Sequence, residues 1–438
     1  MSTRNNGIIG NIDWWLLLVY FILVFFGWIN IYSASYNEDH TSIFDFSVES
    51  GKQFVWICIS IGFGIFLFFF DTKVFQATSF IIYAAVIVLL VLVLIVGQTV
   101  AGNKSWFVIT SSIKIQPSEF AKFATALILA KVMGDNKFSF TPSSRFNSVT
   151  LFGFDLNISK NGAWAVFFVL LPAALILMEN DTGTTLVFLS FFLAFFRFGL
   201  NWLFLIMGVL SIAIFFITIL VPVVWVIIGL IVITVLLSFL LLNFRGGWKL
   251  LTILLVFFIG FTLAVKPIYN NVLKEHHRKR IMVLLGQEKD MKGSGWNVNN
   301  SKMAIGSGGV LGKGFLNGSL TKLKYVPKQH TDFIFSTVGE EWGFWGSTGI
   351  IMIYLFFIVR LIIAAERQRS MFSKVYGYCV ACIFFFHFFM NIGTAVGLAP
   401  AVGIPLPLLS YGGSSLLGFT LLLWVFLKFD SQNLQLLR

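Results

Sequence analysis

Charge is scarce in this chain: Asp, Glu, Lys and Arg together make 11% of its 438 residues. With 58% hydrophobic and 17% aromatic residues, that is too little charge to coat a water-soluble surface, so a soluble globular fold is excluded. Cysteine is nearly absent. Cys58, Cys379 and Cys382 all fall in apolar runs, which excludes a disulfide framework and a cysteine metal site. Of five histidines, His276 and His277 are adjacent and point apart on a helix, so no metal site is expected from them. Acidic side chains number 19 against 31 basic ones, a formal charge of +12. Proline is sparse at nine, yet Pro400, Pro405 and Pro407 fall in one stretch.

What is abundant is apolar length. A bilayer crossing needs about 20 mostly apolar residues. Such runs lie near Trp14–Ile31, Phe54–Phe70, Val74–Val96, Ile115–Met133, Trp164–Met178, Thr184–Phe198, Trp202–Leu220, Val223–Leu242, Leu250–Val265, Phe333–Ile358, Tyr376–Ala395 and Leu406–Leu427. The expected fold is an all-α polytopic membrane protein of about ten to twelve transmembrane helices, one multi-pass domain over 1–438. The first run is too long for the core of a secretory signal and reads as a retained span.

Basic short loops stay cytoplasmic. Those with Lys137, Arg145 and Lys160, with Arg245 to Lys249, and with Arg367, Arg369 and Lys374 fall on one side, and both termini with them. The stretch 266–330 then lies outside, as do Gly102–Ser112, Glu179–Gly183 and Gly397–Ser415. From Lys266 to Lys328 it carries twelve Lys and Arg, against Glu275, Glu288 and Asp290, with Asp332 just beyond. A basic outer loop beside a bilayer suits an anionic lipid-borne ligand and not a nucleic acid. The Pro- and Gly-rich stretch around Pro400–Gly413 cannot span as a regular helix, and reads as a re-entrant loop folded over a site.

Within the spans, Glu119 and Lys122 sit three apart on one helix face and can neutralise each other, as a structural pair or as the wall of a polar cavity. Asp181 can cap a helix. The glycine-rich run Gly306–Gly314 beside Lys313 could bring backbone N–H groups to phosphate oxygens or be a flexible loop. His330 stands at a membrane entry, where a helix cap and catalysis are both open.

Together these segments resemble the SEDS family (shape, elongation, division and sporulation), membrane glycosyltransferases that polymerise lipid II. The resemblance lies in Ile113–Lys122, Asp181–Thr184, Ser301–Gly314, Tyr325–Gly343 and Val402–Ser415, and around Lys313 it is RodA-like (elongation) rather than FtsW-like (division). Glu179-Asn180 stands where the family has Gln-Pro, Met291 for a proline, Trp296 for a tyrosine, Asn300 for a glutamine and Ser105 for an arginine. The family's ten-span plan leaves the 202–265 region with a probable extra helix pair.

The resemblance implies a peptidoglycan polymerase of the bacterial cytoplasmic membrane that forms β-1,4 bonds with inversion as undecaprenyl diphosphate leaves. A lipid II flippase is the alternative, with a non-catalytic scaffold and an ion-coupled transporter behind it. Asp290 is the expected base. Arg280, Lys313, Lys328, Trp106, Glu119, Lys122, Asp181, Ser301, His330 and Ser410 are the expected substrate-binding residues. A divalent cation, Mg²⁺ or Mn²⁺, could share the diphosphate charge, although no ligand cluster is evident. The expected partners are lipid II, the growing lipid-linked glycan, membrane lipids and a class B penicillin-binding protein.

Overall fold

All twelve apolar runs are helical over most of their length in the computed structural model, which describes residues 12–36, 42–100, 102–108, 110, 114–135, 138, 140, 150–151, 154–155, 159–240, 247–287 and 293–432. Helices α1 (Trp14–Ser35), α2 (Glu49–Leu67) and α3 (Thr72–Val96) lead into a small antiparallel sheet. Its strands are β1 (Gln98–Val100), β2 (Asn103–Val108) and β3 (Lys114–Ile115). Then come α4 (Pro117–Met133), the short pair β4 (Thr150–Leu151) and β5 (Phe154–Asp155), α5 (Lys160–Met178), α6 (Thr182–Val187) and α7 (Ser190–Arg197). The chain continues through α8 (Trp202–Leu220), α9 (Val223–Leu240), α10 (Gly247–Pro267), a π-helical turn at Ile268–Val272 and α11 (Glu275–Leu284). It ends with α12 (Ser294–Ser307), α13 (Ser319–Lys322), α14 (Ile334–Glu366), α15 (Met371–Ala395) and α16 (Gly413–Gln432).

Among the described residues nine helices are long and apolar enough to cross a bilayer, with Thr182–Arg197 and Val223–Phe239 as shorter apolar pieces. The protein is a multi-pass membrane protein. Three expectations need correction. The run Thr184–Phe198 is broken into α6 and α7, with three-residue turns from Phe188 to Thr185 and from Leu189 to Leu186 at the break. The run Leu406–Leu427 becomes helical only at Gly413, because Pro405 and Pro407 have no N–H to continue a helix. The stretch 266–330, expected as a large extracytoplasmic loop, is not simply a loop, since α10 runs through Pro267 and α11, α12 and α13 lie within it.

The chain forms two compact units. One comprises Met1–Phe138, Trp164–Ala194 and Val283–Arg438. Here α4 packs on α3 and α15, α16 on α2, and α14 on α1, α12 and α15. Asp13 caps α1 through Leu16 N and receives Arg360 and Arg367 at 2.9 and 2.8 Å; Arg367 also pairs with Asp430, joining α1, α14 and α16. Phe357, Phe384, Phe419 and Phe426 fill the interior between the helices.

The other unit comprises Ser139–Ala163 and Phe195–Met282. Its α10 packs on α8 and α9 around Ile214, Val226 and Phe258. The buried hydroxyls of Thr218 and Thr262 bond back to carbonyls four residues earlier, so they satisfy themselves within their own helices.

Candidate functional site

Pro117 occupies the first turn of α4, where its missing N–H costs nothing. The first helical turns then place Glu119 and Lys122 on one face, both buried, 2.8 Å apart. A charge inside a membrane protein needs a partner. Lys122 has three: Glu119, the Nε2 of His387 at 3.1 Å, and the ring of Phe419 4.6 Å below its ammonium. Next to them, the Asp181 carboxylate caps α6 through Thr184 N and Thr184 Oγ1, at 3.0 and 2.8 Å. Its Oδ2 also accepts from Gln116 Nε2 at 2.7 Å. The cap reading of Asp181 is therefore met, and the cap ties α6 to the start of α4. Burial pushes its carboxyl above the ordinary value, with the Thr184 bonds opposing.

Two residues before, Glu179 is fully buried, with no hydrogen-bond partner for either carboxylate oxygen. Burial and then Asp181 push it up to about 8. It is held as a neutral acid.

Irregular backbone runs from Val396 to Gly412 and is buried from Leu406 to Ser410. It survives because side chains of α14 and α15 satisfy its carbonyls. Thr394 donates to Pro400 O at 3.0 Å, Asn391 to Ile404 O at 2.8 Å, and His387 Nδ1 stands 3.1 Å from Pro405 O. Tyr354 donates to Pro407 O. Asn391 also donates to Asp332 O. Ser410 accepts from Leu406 N and donates to Thr331 O, so its hydroxyl closes this segment. Tyr411 N donates to His330 O at 2.8 Å, and the two rings meet edge to face. His330 is held below its ordinary value by burial, with Lys324 and Lys328 acting the same way against Glu49.

The glycine run is bonded to the backbone of α14. At Gly343 (φ 64°, ψ −158°) α14 kinks, and two of its own hydrogen bonds are given up. Phe344 N and Trp345 N turn to Gly309 O and Val310 O, while Lys313 N and Gly314 N take the carbonyls of Glu340 and Glu341. The 309–314 segment is inserted into the helix ladder. A Cβ on Gly312 would lie 2.2 Å from Glu341 O, so only glycine fits there.

Beneath it, fully buried Glu340 accepts from Lys313 Nζ at 2.7 Å, Leu320 N at 2.9 Å, and Thr321 N and Oγ1 at 2.8 and 2.7 Å. Both oxygens are saturated, which leaves Glu340 no capacity to act as a base. Ser33 reaches across from α1 to donate to Glu341.

Of the expected site residues, Glu119, Lys122 and Asp181 come together at the start of α4, while His330 bonds the irregular segment through Tyr411 and Ser410 bonds Thr331, the residue after His330. Lys313 is an exposed-edge cation already paired with Glu340. Ser301 is buried and donates to Ala395 O, clamping α12 to α15. Lys328 is exposed, with left-handed backbone at φ 55°. Trp106 is half-buried on β2, opposite Gln98. The neighbouring Lys104 caps the carbonyls of Leu94 and Ile95 at the end of α3. Arg280 belongs to the second unit, on α11, where Glu275 and Lys279 pair at 2.8 Å. Asp290 lies outside the described residues, as do Lys137 and Arg145. Among the described residues no three His, Cys, Asp or Glu side chains are grouped to hold a metal.

His387 and Asn391 were missed by sequence reasoning. An imidazole and an amide four residues apart in an apolar run are a signal of an interior face, since either is costly against lipid.

The family model described as "Cell cycle protein", covering FtsW, RodA and SpoVE, matches residues 13–229 and 211–434. The chain belongs to this family, the SEDS family, and its kinship is of the RodA type. It is 30% identical to the peptidoglycan glycosyltransferase RodA of Treponema pallidum over 93% of this chain and 95% of that one. It is 31% identical to the peptidoglycan glycosyltransferase MrdB of Escherichia coli K12, over 79% and 75% respectively. In fold it is similar to a chain from a structure of a peptidoglycan synthase complex that coordinates polymerization and crosslinking (TM-score 0.68, 24% identity, 97% and 99% covered). It is likewise similar to the rod shape determining protein RodA of Thermus thermophilus (TM-score 0.59, 23% identity, 96% and 97% covered). The overlap of the two family matches at 211–229 falls within the surplus apolar runs.

Proposed function

We propose that this protein is a peptidoglycan glycosyltransferase of cell-wall elongation, polymerising lipid II on the outer face of the bacterial cytoplasmic membrane. The observation that carries the reading is similarity along 93% of the chain to a relative named for that activity. The acceptor is the GlcNAc 4-hydroxyl of one lipid II, and the electrophile is the anomeric carbon of the growing chain. The new C–O bond forms as the bond to the lipid diphosphate breaks. Undecaprenyl diphosphate leaves, and the hydroxyl proton passes to a base.

Asp290 is that base in this reading, since a positioned carboxylate contributes roughly 10²–10⁴-fold. Lys328 and Lys313 supply positive charge for the leaving diphosphate, Lys328 from an exposed position and Lys313 through whatever charge Glu340 leaves. The polar cluster of Glu119, Lys122 and Asp181 lines the site without taking a proton from the acceptor. Both termini are cytoplasmic, and a class B penicillin-binding protein crosslinks the product.

The test incubates purified protein with lipid II, with and without that transpeptidase, and separates the glycan products. Long glycan made only when both lipid II and this protein are present is the expected result. Transbilayer movement of lipid II without polymer would transfer the assignment to a flippase.

A further inference from the structure

His387 is fully buried within α15, where an ionisable ring is costly unless both nitrogens are engaged. Both are. Nε2 faces an ammonium, which can only donate, and Nδ1 faces a carbonyl, which can only accept. These partners fix the ring as neutral, with its single proton on Nδ1. An unbroken chain of contacts then runs from Glu119 Oε2 to Lys122 Nζ at 2.8 Å, to His387 at 3.1 Å, and on to Pro405 O at 3.1 Å. Asn391 and Thr394 pin the same segment from the same helix, but neither touches a charge. His387 alone among these three joins the buried ion pair to the irregular segment.

We propose that His387 is a positioning residue for glycosyl transfer. It holds the turn at Pro405, and with it the Ser410–Thr331 and Tyr411–His330 joints, in the register set by the Glu119–Lys122 pair. The inference rests on the polymerase reading for its rate effect but not for the coupling itself.

His387→Asn keeps a donor near the Nδ1 position and removes the acceptor for Lys122. His387→Phe fills the volume and bonds neither partner. In lipid II polymerisation with the transpeptidase present, each should lower kcat about ten- to a hundredfold, the scale of a small misplacement of reacting groups, with KM within about twofold. In a Glu119→Gln background, where the carboxylate charge that holds Lys122 is already gone, His387→Asn should cost no more than about twofold further. A rate within threefold of wild type for His387→Phe, or full additivity with Glu119→Gln, overturns the proposal.

The coupling is also read without activity. With Cys58, Cys379 and Cys382 replaced, maleimide labelling of Ala401→Cys in native membranes should change severalfold on Glu119→Gln, and should not change when His387→Asn is already present. An equal change in both backgrounds, or none in either, overturns it. Wild-type protein that makes no glycan while this coupling is seen would defeat the polymerase reading and leave only the coupling through His387 standing.

Discussion

In the first unit, 72% of the apolar window of α15 and 83% of that of α16 are buried, and these helices carry His387, Asn391, Thr420 and Lys428 inward. In the second, 17% of the windows of Trp202–Leu220 and Leu251–Asn271 is buried, and their buried hydroxyls bond only to their own backbone. Lipid accepts only apolar surface, whereas a protein interior accepts charge wherever a partner waits. Polarity in an apolar chain thus marks the helices that face other helices. The first unit holds the ion pairs of Lys122 with Glu119 and of Arg367 with Asp13 and Asp430 in its interior, whereas the described core of the second is an apolar cluster around Ile214, Val226 and Phe258.

The outer stretch should give the largest effect. Asp290→Asn preserves size and removes charge, so polymerisation should fall by about 10²–10⁴-fold while membrane insertion is unchanged. Near-normal glycan synthesis by that variant would return Asp290 to the status of a solvated loop residue.

Next in size is the buried pair. Lys122→Met leaves the Glu119 carboxylate buried and uncompensated, at a cost of about 3–5 kcal/mol in stability. Thermal unfolding in detergent should show it. Glu119→Gln combined with Lys122→Met should recover part of the loss, because no charge is then stranded. If Lys122→Met were as mild as a change at Thr262, the contrast between the units would collapse.

Glu340→Gln should be gentler. It keeps an acceptor for some of the Leu320 and Thr321 bonds but loses the ion pair to Lys313, at about 1.5–3 kcal/mol. Proteolysis within 309–324 is the measurement, with faster cleavage than wild type expected.

Glu179 offers a pH test. Its carboxyl is raised from the ordinary range to about 8, so the folded protein binds a proton that the unfolded chain releases in the acidic range. Stability from this group is present at low pH and is lost as pH rises toward 8, by about 1.4 kcal/mol per pH unit within that window. Glu179→Gln should flatten the decline in unfolding temperature between pH 5 and 8; an unchanged slope would exclude Glu179 as its source. The smallest effect is expected in the second unit, where Ile214→Ala should leave polymerisation within about twofold, since Ile214 packs in an apolar cluster with Val226 and Phe258 there. A large loss would show that unit to be coupled to the chemistry.

How much of this was legible in the sequence depends on distance along the chain. The spans could be read because apolar length is local, and the Glu119–Lys122 pair because three residues bring two side chains together on a helix. The imidazole partner of Lys122 is 265 positions away, and no periodicity carries information over that separation. The same holds for the glycine run, whose purpose is set by the backbone of α14, about thirty residues on. The break between α6 and α7 was hidden by an unbroken apolar run, since phenylalanine and leucine at 188 and 189 read as helix. Pro405 and Pro407 did signal irregular backbone, but their carbonyl partners on α14 and α15 needed coordinates.

The splice of 309–314 into α14 has a consequence for biosynthesis. The segment leaves the ribosome before 340–345, so its Gly309 and Val310 carbonyls and its Lys313 and Gly314 amides must wait for a helix not yet made. When α14 arrives it can either stay straight and close its own ladder, or bend at Gly343 and adopt the waiting strand. The bend and the docking use the same carbonyls of Glu340 and Glu341, so a straight α14 leaves the 309–314 segment undocked. In Gly343→Ala a Cβ would stand 2.2 Å from Gly312 N, so the straight, undocked form should be favoured. Pulse-chase proteolysis of the nascent and mature protein would reveal it as a long-lived, cleavable form.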